Sequence, residues 1–130
     1  MDKDNMAKIL VIDDEPQVTE IVEAFLKNAG HQVLVENGST EGLETAKKEI
    51  PDIILLDIMM PGTDGYSTCN ALKADDATKD IPVVFLTGKD RADDQGRSFK
   101  VGGDMFIKKP FSCERLLEIV NIILMSSTKI

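Results

Sequence analysis

Apolar residues along the chain fall into short continuous runs, and these runs alternate with segments in which apolar residues recur at helical spacing. Four runs, at residues 9–12, 53–56, 83–86 and 105–107, are each followed by polar residues. A continuous run of this length, without alternation of apolar and polar positions, is typical of a strand buried on both faces of a sheet. A shorter strand is predicted at Gln32–Glu36. The pattern therefore predicts an α/β fold, with five parallel strands and helices on both faces of the sheet.

Three helices are predicted between the first four strands. Pro16 suits the first turn of the first helix, and Gly30 ends it. The apolar residues at helical spacing in this helix are Val18, Ile21, Val22, Phe25, Leu26 and Ala29. We expect Ser39 to cap the second helix. The residues of the second helix predicted to point inward are Leu43, Ala46 and Ile50. The third helix follows Gly65, and the residues predicted on one side of it are Tyr66, Cys69 and Leu72.

Two more helices are predicted towards the C-terminus. The first, at residues 91–101, contains Gly96 and few apolar residues. We expect it to be the least stable element, because glycine costs a helix interior about 1 kcal/mol relative to alanine. The last helix begins near Ser112, and its broad apolar face is formed by Leu116, Leu117, Ile119, Val120, Ile123 and Leu124. Ile122 and Met125 fall outside that face. We interpret them as packing at the edge of the core, and a partner or dimer surface is the alternative.

Length, charge and cysteine content limit the classes of protein to which this chain can belong. The 130 residues suffice for one domain, predicted to span residues 1–130. The net charge of −8 argues against direct binding to nucleic acid or to an anionic membrane surface. No apolar run is long enough to span a membrane, and the first residues lack the pattern of a signal peptide. Cys69 and Cys113 stand singly and are interpreted as packing residues, which favours a cytoplasmic location. His31 is interpreted as a solvated loop residue.

The polar residues that follow the strands are the candidate functional residues. They are Asp13 and Asp14 after the first strand, Asp57 after the third, Thr87 after the fourth and Lys109 after the fifth. Ligands of open parallel α/β sheets bind beyond the carboxyl ends of the strands, so we expect these side chains to meet. Two like charges about 4 Å apart repel by about 4 kcal/mol at an effective dielectric constant near 20. Three carboxylates therefore need a cation or shifted protonation. If a cation is bound, the oxygen ligands favour Mg²⁺. Helix capping is the alternative for the Asp13-Asp14 pair considered alone.

Asp57 is the candidate nucleophile at this edge. A carboxylate can attack phosphorus and form an aspartyl phosphate. Phosphoryl transfer depends mainly on positioning and on neutralisation of the phosphoryl oxygens. Mg²⁺ and the ammonium of Lys109 would supply that neutralisation, and the hydroxyl of Thr87 can donate to a further oxygen. The joint arrangement indicates a phosphoacceptor site.

The sequence resembles the response-regulator receiver domains of two-component signalling, in their single-domain, chemotaxis-regulator-like form. The segments that carry the resemblance are ILVIDDEP at 9–16, LLDIMMPG at 55–62 with Asp64-Gly65, FLTG at 85–88 and KPF at 109–111. They cover essentially the whole chain, in the order and spacing of the family. The resemblance implies a doubly wound, flavodoxin-like (βα)5 fold with strand order 2-1-3-4-5.

The same resemblance implies specific roles for the site residues. Asp57 would accept a phosphoryl group from the phosphohistidine of a histidine kinase or phosphotransfer protein. Asp14, Asp57 and the backbone carbonyl of Met59 would bind Mg²⁺ directly, and Asp13 would act largely through water. Lys109 would pair with the phosphoryl group, and its bond to Pro110 is expected to be cis. The chain would catalyse only its own phosphorylation and dephosphorylation.

The resemblance also implies a conformational switch. Thr87 would move towards the phosphoryl group, and Phe106 would turn inward into the space that Thr87 vacates. The family often has tyrosine at that position, so here the switch would depend on packing alone, and static core filling is the alternative for Phe106. The surface formed by the predicted helix 91–101 and the last helix would then bind a downstream protein or, weakly, a second copy of the chain.

Three other interpretations are weighed against this one. A magnesium-dependent phosphatase with an aspartate nucleophile would need a second Asp two residues after Asp57, where Met59 stands. A flavodoxin-like cofactor binder would need a phosphate-binding loop where the acidic residues 13–15 stand. The third is that the chain is the receiver part of a larger transcriptional or hybrid-kinase protein, and the single-domain regulator is favoured over it.

Overall fold

The computed structural model describes residues 6–60, 63–87 and 105–127. Its central sheet consists of five strands: Lys8–Ile12 (β1), Gln32–Glu36 (β2), Ile53–Asp57 (β3), Val83–Thr87 (β4) and Met105–Lys108 (β5). All neighbouring pairs are parallel, and the strand order is β2-β1-β3-β4-β5. The predicted fold class and strand order are therefore confirmed.

Four helices are described: Pro16–Asn28 (α1), Ser39–Glu49 (α2), Gly65–Ala74 (α3) and the C-terminal helix, Cys113–Ser127. Pro16 occupies the first turn of α1, and Gly30 follows its end with a φ of 101°, a left-handed conformation that favours glycine. A short antiparallel hairpin, Met59–Met60 with Thr63–Asp64, was not predicted. The predicted helix at 91–101 lies outside the described residues.

The core has two halves, one on each face of the sheet, because successive strand residues point to opposite faces. Ile9 and Val11 of β1 join the half beneath α1 and the C-terminal helix. Leu10 and Ile12 join the half beneath α2 and α3. Apolar residues on both faces of β1, β3 and β4 explain why their sequences read as continuous apolar runs.

Three predictions about the first two helices were wrong. Ile21 was placed on the apolar face of α1, but it is 60% exposed, and Ile50 was predicted to point inward from α2 but is 48% exposed. Ile50 follows the last turn of α2 in a left-handed conformation with φ 46°, so its side chain leaves the helical face. The N-cap of α2 is Gly38 rather than Ser39, whose hydroxyl instead forms a hydrogen bond with that of Thr68 on α3.

The interpretation of His31 as a solvated residue was also wrong. His31 is buried, and the backbone N–H of Ala7 donates to its Nδ1 at 3.1 Å. Burial lowers the pKa of His31. The ring therefore connects the start of β1 to the turn between α1 and β2 in its neutral form.

The C-terminal helix faces the core as predicted, with Leu116, Ile119, Val120 and Ile123 buried. Ile122 and Met125 lie outside that face and are 43% and 76% exposed. Within the described part of the chain, no helix combines the length and the apolar character needed to cross a membrane.

Candidate functional site

The register of the central strands brings the predicted carboxylates together. Ile12 of β1 lies opposite Leu56 of β3, so Asp13 and Asp57, the next residues of each segment, emerge side by side at the carboxyl edge. Asp14 follows Asp13 at the same edge. One carboxylate oxygen from each of Asp13, Asp14 and Asp57 lies within 4.8 Å of the others. Asp13 and Asp57 are buried, and Asp14 is half-buried.

Asp13 is fixed on three sides by hydrogen bonds. Its Oδ1 accepts the backbone N–H of Glu15 at 2.9 Å, and its own N–H donates to the carbonyl of Glu36 at 3.1 Å. The side-chain Nδ2 of Asn37 donates to the carbonyl of Asp13 at 2.8 Å. Sequence reasoning missed Asn37, although it is a polar residue directly after β2, at the same edge of the sheet.

The chain after Asp57 is held by a close approach of Gly65. The N–H of Gly65 donates to the carbonyl of Ile58 at 2.7 Å. A Cβ atom at position 65 would collide with the carbonyl of Asp57 and would lie 2.7 Å from the Cα of Ile58. Asp64, the residue before it, caps α3 by accepting the N–H of Tyr66 at 2.6 Å. Glycine at 65 therefore allows α3 to begin directly against the end of β3.

Lys109 follows β5, the edge strand of the sheet, and contacts the carboxylates. Its Nζ lies 2.9 Å from Asp13 Oδ2, 2.7 Å from Glu15 Oε1 and 3.6 Å from Asp57 Oδ2. Burial alone would lower the pKa of Lys109, but the hydrogen bonds and charges of these carboxylates outweigh burial and raise it. The peptide bond between Lys109 and Pro110 is cis, as expected.

Glu15 lies at the start of α1 and also contacts Lys109. The backbone of Glu15 is the N-cap of α1, and its carbonyl accepts the N–H of Val18 and of Thr19. Its side chain makes the shortest of the three contacts to Lys109. Lys109 lies 94 positions away from Glu15 along the chain, so helical patterns in the sequence could not reveal this ion pair.

The donor set fits a hard divalent cation. The clustered side chains offer only carboxylate oxygens, which Mg²⁺ prefers as ligands, together with water molecules that it retains. Two buried carboxylates beside a third carry more negative charge than the ammonium of Lys109 balances, so binding of a cation would be favourable. The residues present therefore suit Mg²⁺ in both chemistry and spacing.

Three other predicted residues lie near this edge. The backbone of Met59 lies opposite Asp64 in the hairpin that follows β3. Thr87 ends β4 and pairs with Lys108, and its side chain lies outside the described part of the structure. Phe106 of β5 is half-buried and packs against the core half beneath α2 and α3.

Comparisons with known proteins give a consistent result. The family model described as "Response regulator receiver domain" matches residues 9–121. Protein PilH of Pseudomonas aeruginosa is 37% identical over 119 residues, which cover 92% of this chain and 98% of PilH. The DNA-binding dual master transcriptional regulator RpaA of Synechocystis is 36% identical over 125 residues. This match covers 96% of the chain but 52% of RpaA, so the chain spans about half the length of that relative.

A solved structure shares the fold across nearly all of the chain. The chemotaxis protein CheY4 of Vibrio cholerae superimposes with a TM-score of 0.87 and is 29% identical in sequence. The alignment covers 91% of this chain and 98% of CheY4. The described strands and helices therefore share the fold of this solved structure.

Proposed function

The chain belongs to the response regulator receiver domain family, and from this premise we propose that it is a phosphoacceptor signalling domain with Asp57 as the acceptor. Response regulators receive phosphate from histidine kinases and act on downstream targets. The phosphodonor proposed here is accordingly the phosphohistidine of a histidine kinase or phosphotransfer protein. The observation that carries the proposal is the convergence of Asp13, Asp14, Asp57 and Lys109 at one edge of the sheet.

The proposed reaction exchanges one bond to phosphorus for another. A carboxylate oxygen of Asp57 forms the new O–P bond while the P–N bond of phosphohistidine breaks. The bonding electron pair leaves with the imidazole nitrogen. The ammonium of Lys109, 3.6 Å from Asp57 Oδ2, would neutralise charge on the incoming phosphoryl oxygens. Burial of Asp57 excludes bulk water around the acceptor and strengthens that interaction.

Receiver domains generally bind Mg²⁺ at an acidic pocket. In this chain we assign direct ligation to Asp14, Asp57 and the backbone carbonyl of Met59, with Asp13 acting largely through water. When bound, the ion would neutralise phosphoryl oxygens that Lys109 does not contact. The hydrogen bond from the backbone N–H of Glu15 to Asp13 Oδ1 would keep that carboxylate aimed at the ion, and the bond from Asn37 to the backbone carbonyl of Asp13 would hold the main chain in place.

The proposed output is a shift between two conformations that phosphorylation biases. Thr87 would move towards the phosphoryl group and Phe106 would turn inward. The surface expected from the predicted helix 91–101 and the C-terminal helix would then bind a protein target. Phe106 is half-buried and packs against the core, so its ring is not fully enclosed in the described structure. The half-length match to RpaA supports the alternative that the chain is the receiver part of a transcriptional regulator, whereas the match to PilH supports a single-domain protein.

Phosphotransfer from a small-molecule donor tests the assignment of the acceptor. The protein is incubated with acetyl phosphate, with and without Mg²⁺, and its intact mass is measured. We expect one added phosphoryl group, dependent on Mg²⁺ and abolished by Asp57→Asn. Asp52→Asn is the matched control, because Asp52 precedes the opposite end of the same strand, where it accepts the N–H of Lys8 at 2.7 Å. Equal labelling of the Asp57→Asn and Asp52→Asn variants would place the acceptor elsewhere.

A further inference from the structure

The ammonium of Lys109 is not centred on the proposed acceptor. It lies closer to Glu15 and Asp13, at 2.7 and 2.9 Å, than to Asp57, at 3.6 Å. The exposure of these partners differs sharply. The side chain of Asp13 is 0% exposed and that of Asp57 2%, whereas that of Glu15 is 45% exposed. Glu15 therefore contacts the ammonium on its solvent-facing side, and Asp13 and Asp57 contact it on its buried side.

We propose that Glu15 is a positioning residue that draws Lys109 outward, away from Asp57, and thereby limits phosphorylation while favouring binding of the divalent cation. This inference rests on the proposed function of Asp57 as the phosphoacceptor. No bond is made or broken in the step assigned to Glu15, because one ion pair replaces another. The ammonium leaves Glu15 when a phosphoryl group on Asp57 offers it a more highly charged partner.

The exposure of the three acids decides which contact is exchanged. The carboxylate of Glu15 returns to water when the ammonium leaves, at little cost, because half-exposed ion pairs contribute little stability. The carboxylate of Asp13 is buried and cannot return to water in the folded protein. Loss of its partner would leave a buried unpaired charge, which is strongly unfavourable. Lys109 is therefore expected to stay on Asp13 throughout and to exchange Glu15 for the phosphoryl group.

The proposal predicts effects of opposite sign on two measurable quantities when Glu15 is neutralised. In Glu15→Gln the ammonium is free to move towards Asp57, so phosphorylation by acetyl phosphate at saturating Mg²⁺ should be faster. The same shift places a positive charge closer to the metal ligands, so Mg²⁺ should bind more weakly. Each change is expected to be roughly two- to fivefold, the range for a single half-exposed ion pair. Damage to the site would instead lower both phosphorylation and Mg²⁺ affinity.

The matched control is Glu20→Gln. Glu20 lies exposed on α1, and its neutralisation changes the net charge equally. Glutamine at 15 preserves the backbone N-cap, whose carbonyl accepts from Val18 and Thr19. The Mg²⁺ affinity is measured by calorimetry, and the initial rate of phosphorylation by intact mass. Equal effects in Glu15→Gln and Glu20→Gln would assign them to net charge and overturn the positioning role.

A direct measurement of the ammonium tests the contact independently of phosphorylation. In a lysine-side-chain ¹⁵N spectrum without Mg²⁺, the signal of Lys109, identified by its loss in Lys109→Arg, should shift in Glu15→Gln and stay in place in Glu20→Gln. An unmoved signal in Glu15→Gln would refute the ion pair. If the wild type is labelled on Asp57 and Glu15→Gln behaves as Glu20→Gln in every assay, the positioning role alone fails. Labelling that survives Asp57→Asn refutes the proposed function, and with it the exchange assigned to Glu15.

Discussion

At the scale of single residues, Asp57 combines burial with charge at the end of an otherwise apolar strand. Ile53, Ile54, Leu55 and Leu56 before it are fully buried, and Asp57 itself is 2% exposed. A buried carboxylate is tolerated when a cation stands near it. The ammonium of Lys109 supplies a positive charge 3.6 Å from Asp57 Oδ2. The Asp57 carboxylate therefore has a compensating positive charge beside it in the folded protein.

Substitution of Gly65 should damage both stability and the site. In Gly65→Ala, the new Cβ meets the carbonyl of Asp57 and the Cα of Ile58, backbone atoms that cannot move without displacing the end of β3. We expect a loss of about 1–3 kcal/mol in the free energy of unfolding, typical of forced overpacking. Labelling of Asp57 by acetyl phosphate should be slower. Urea denaturation and intact mass measure the two effects.

The control for this prediction is Gly38→Ala. A Cβ at position 38 meets only the side chain of Glu41, which can rotate away. Its φ of −143° is open to alanine, and alanine is a poorer N-cap residue than glycine, so we expect a loss below about 1 kcal/mol. Equal stability of the two alanine variants would contradict the close approach at Gly65.

The buried His31 should make stability depend on pH. Its pKa is lowered by burial in the folded state, whereas in the unfolded chain it titrates near about 6.5. The unfolded state therefore binds more protons between the lowered pKa and about 6.5, and stability rises with pH across that window. The contribution is fully present above about pH 6.5 and is lost as the pH falls through the window. Protonation of Nδ1 would also remove the acceptor for the N–H of Ala7.

Comparison with His31→Asn isolates this contribution. The amide oxygen of asparagine can accept from Ala7 but does not titrate, while all carboxylates remain the same in both proteins. Urea denaturation at about pH 7.5 and about pH 5.5 should show a larger loss of stability on acidification for the wild type than for the variant. Parallel losses in the two proteins would show that His31 does not titrate differently on unfolding.

At the scale of elements, helix α3 depends on a cap at the point where the site ends. Asp64 Oδ1 accepts the N–H of Tyr66 at 2.6 Å, one of the donors that a helix N-terminus leaves without an intrahelical partner. Asp64→Ala should cost about 1 kcal/mol in the free energy of unfolding, whereas Asp64→Asn keeps an acceptor and should cost less. Chemical denaturation distinguishes the two variants. Equal losses would mean that the charge of Asp64, and not its acceptor oxygen, supports the helix.

The sequence predicted correctly those elements whose apolar pattern follows directly from their burial. Strands β1, β3 and β4 are buried on both faces, so apolar runs marked them. Periodicity could not give the width of a helical face, and Ile21 of α1 is exposed because it lies beside the buried stripe that contains Val22 and Leu26. Nor could it detect that Ile50 leaves α2 through a left-handed residue. Such differences arise from tertiary packing, which residue spacing alone does not specify.

The sequence predicted which residues gather at the candidate site, but not all of the contacts among them. Polar residues at the ends of parallel strands must collect at one edge, so Asp13, Asp14, Asp57 and Lys109 could be grouped before their contacts were known. The contacts of Glu15 and Asn37 could not, because they depend on how loops approach the sheet. The same limit applies to His31, whose hydrogen bond links residues 24 positions apart.

At the scale of the whole molecule, folding and assembly of the site are the same event. The carboxylates come from β1 and β3, and the ammonium of Lys109 follows β5 at the other end of the sequence. The unfolded chain therefore contains no such cluster, and a ligand that needs all of these groups binds only the folded state. Mg²⁺ should stabilise the protein by an amount set by its concentration relative to its dissociation constant.

We expect the free energy of unfolding to rise by about 1.4 kcal/mol when free Mg²⁺ reaches about ten times its dissociation constant. Sodium chloride of equal ionic strength should give a much smaller rise, because screening only weakens repulsion among the carboxylates. Asp57→Asn removes a proposed ligand and should reduce the response to Mg²⁺, whereas Asp52→Asn, at the opposite edge of the sheet, should retain it. Denaturation curves of the three proteins with and without each salt supply the comparison. If Asp57→Asn keeps the full response to Mg²⁺, the cation binds away from the cluster of Asp13, Asp14 and Asp57.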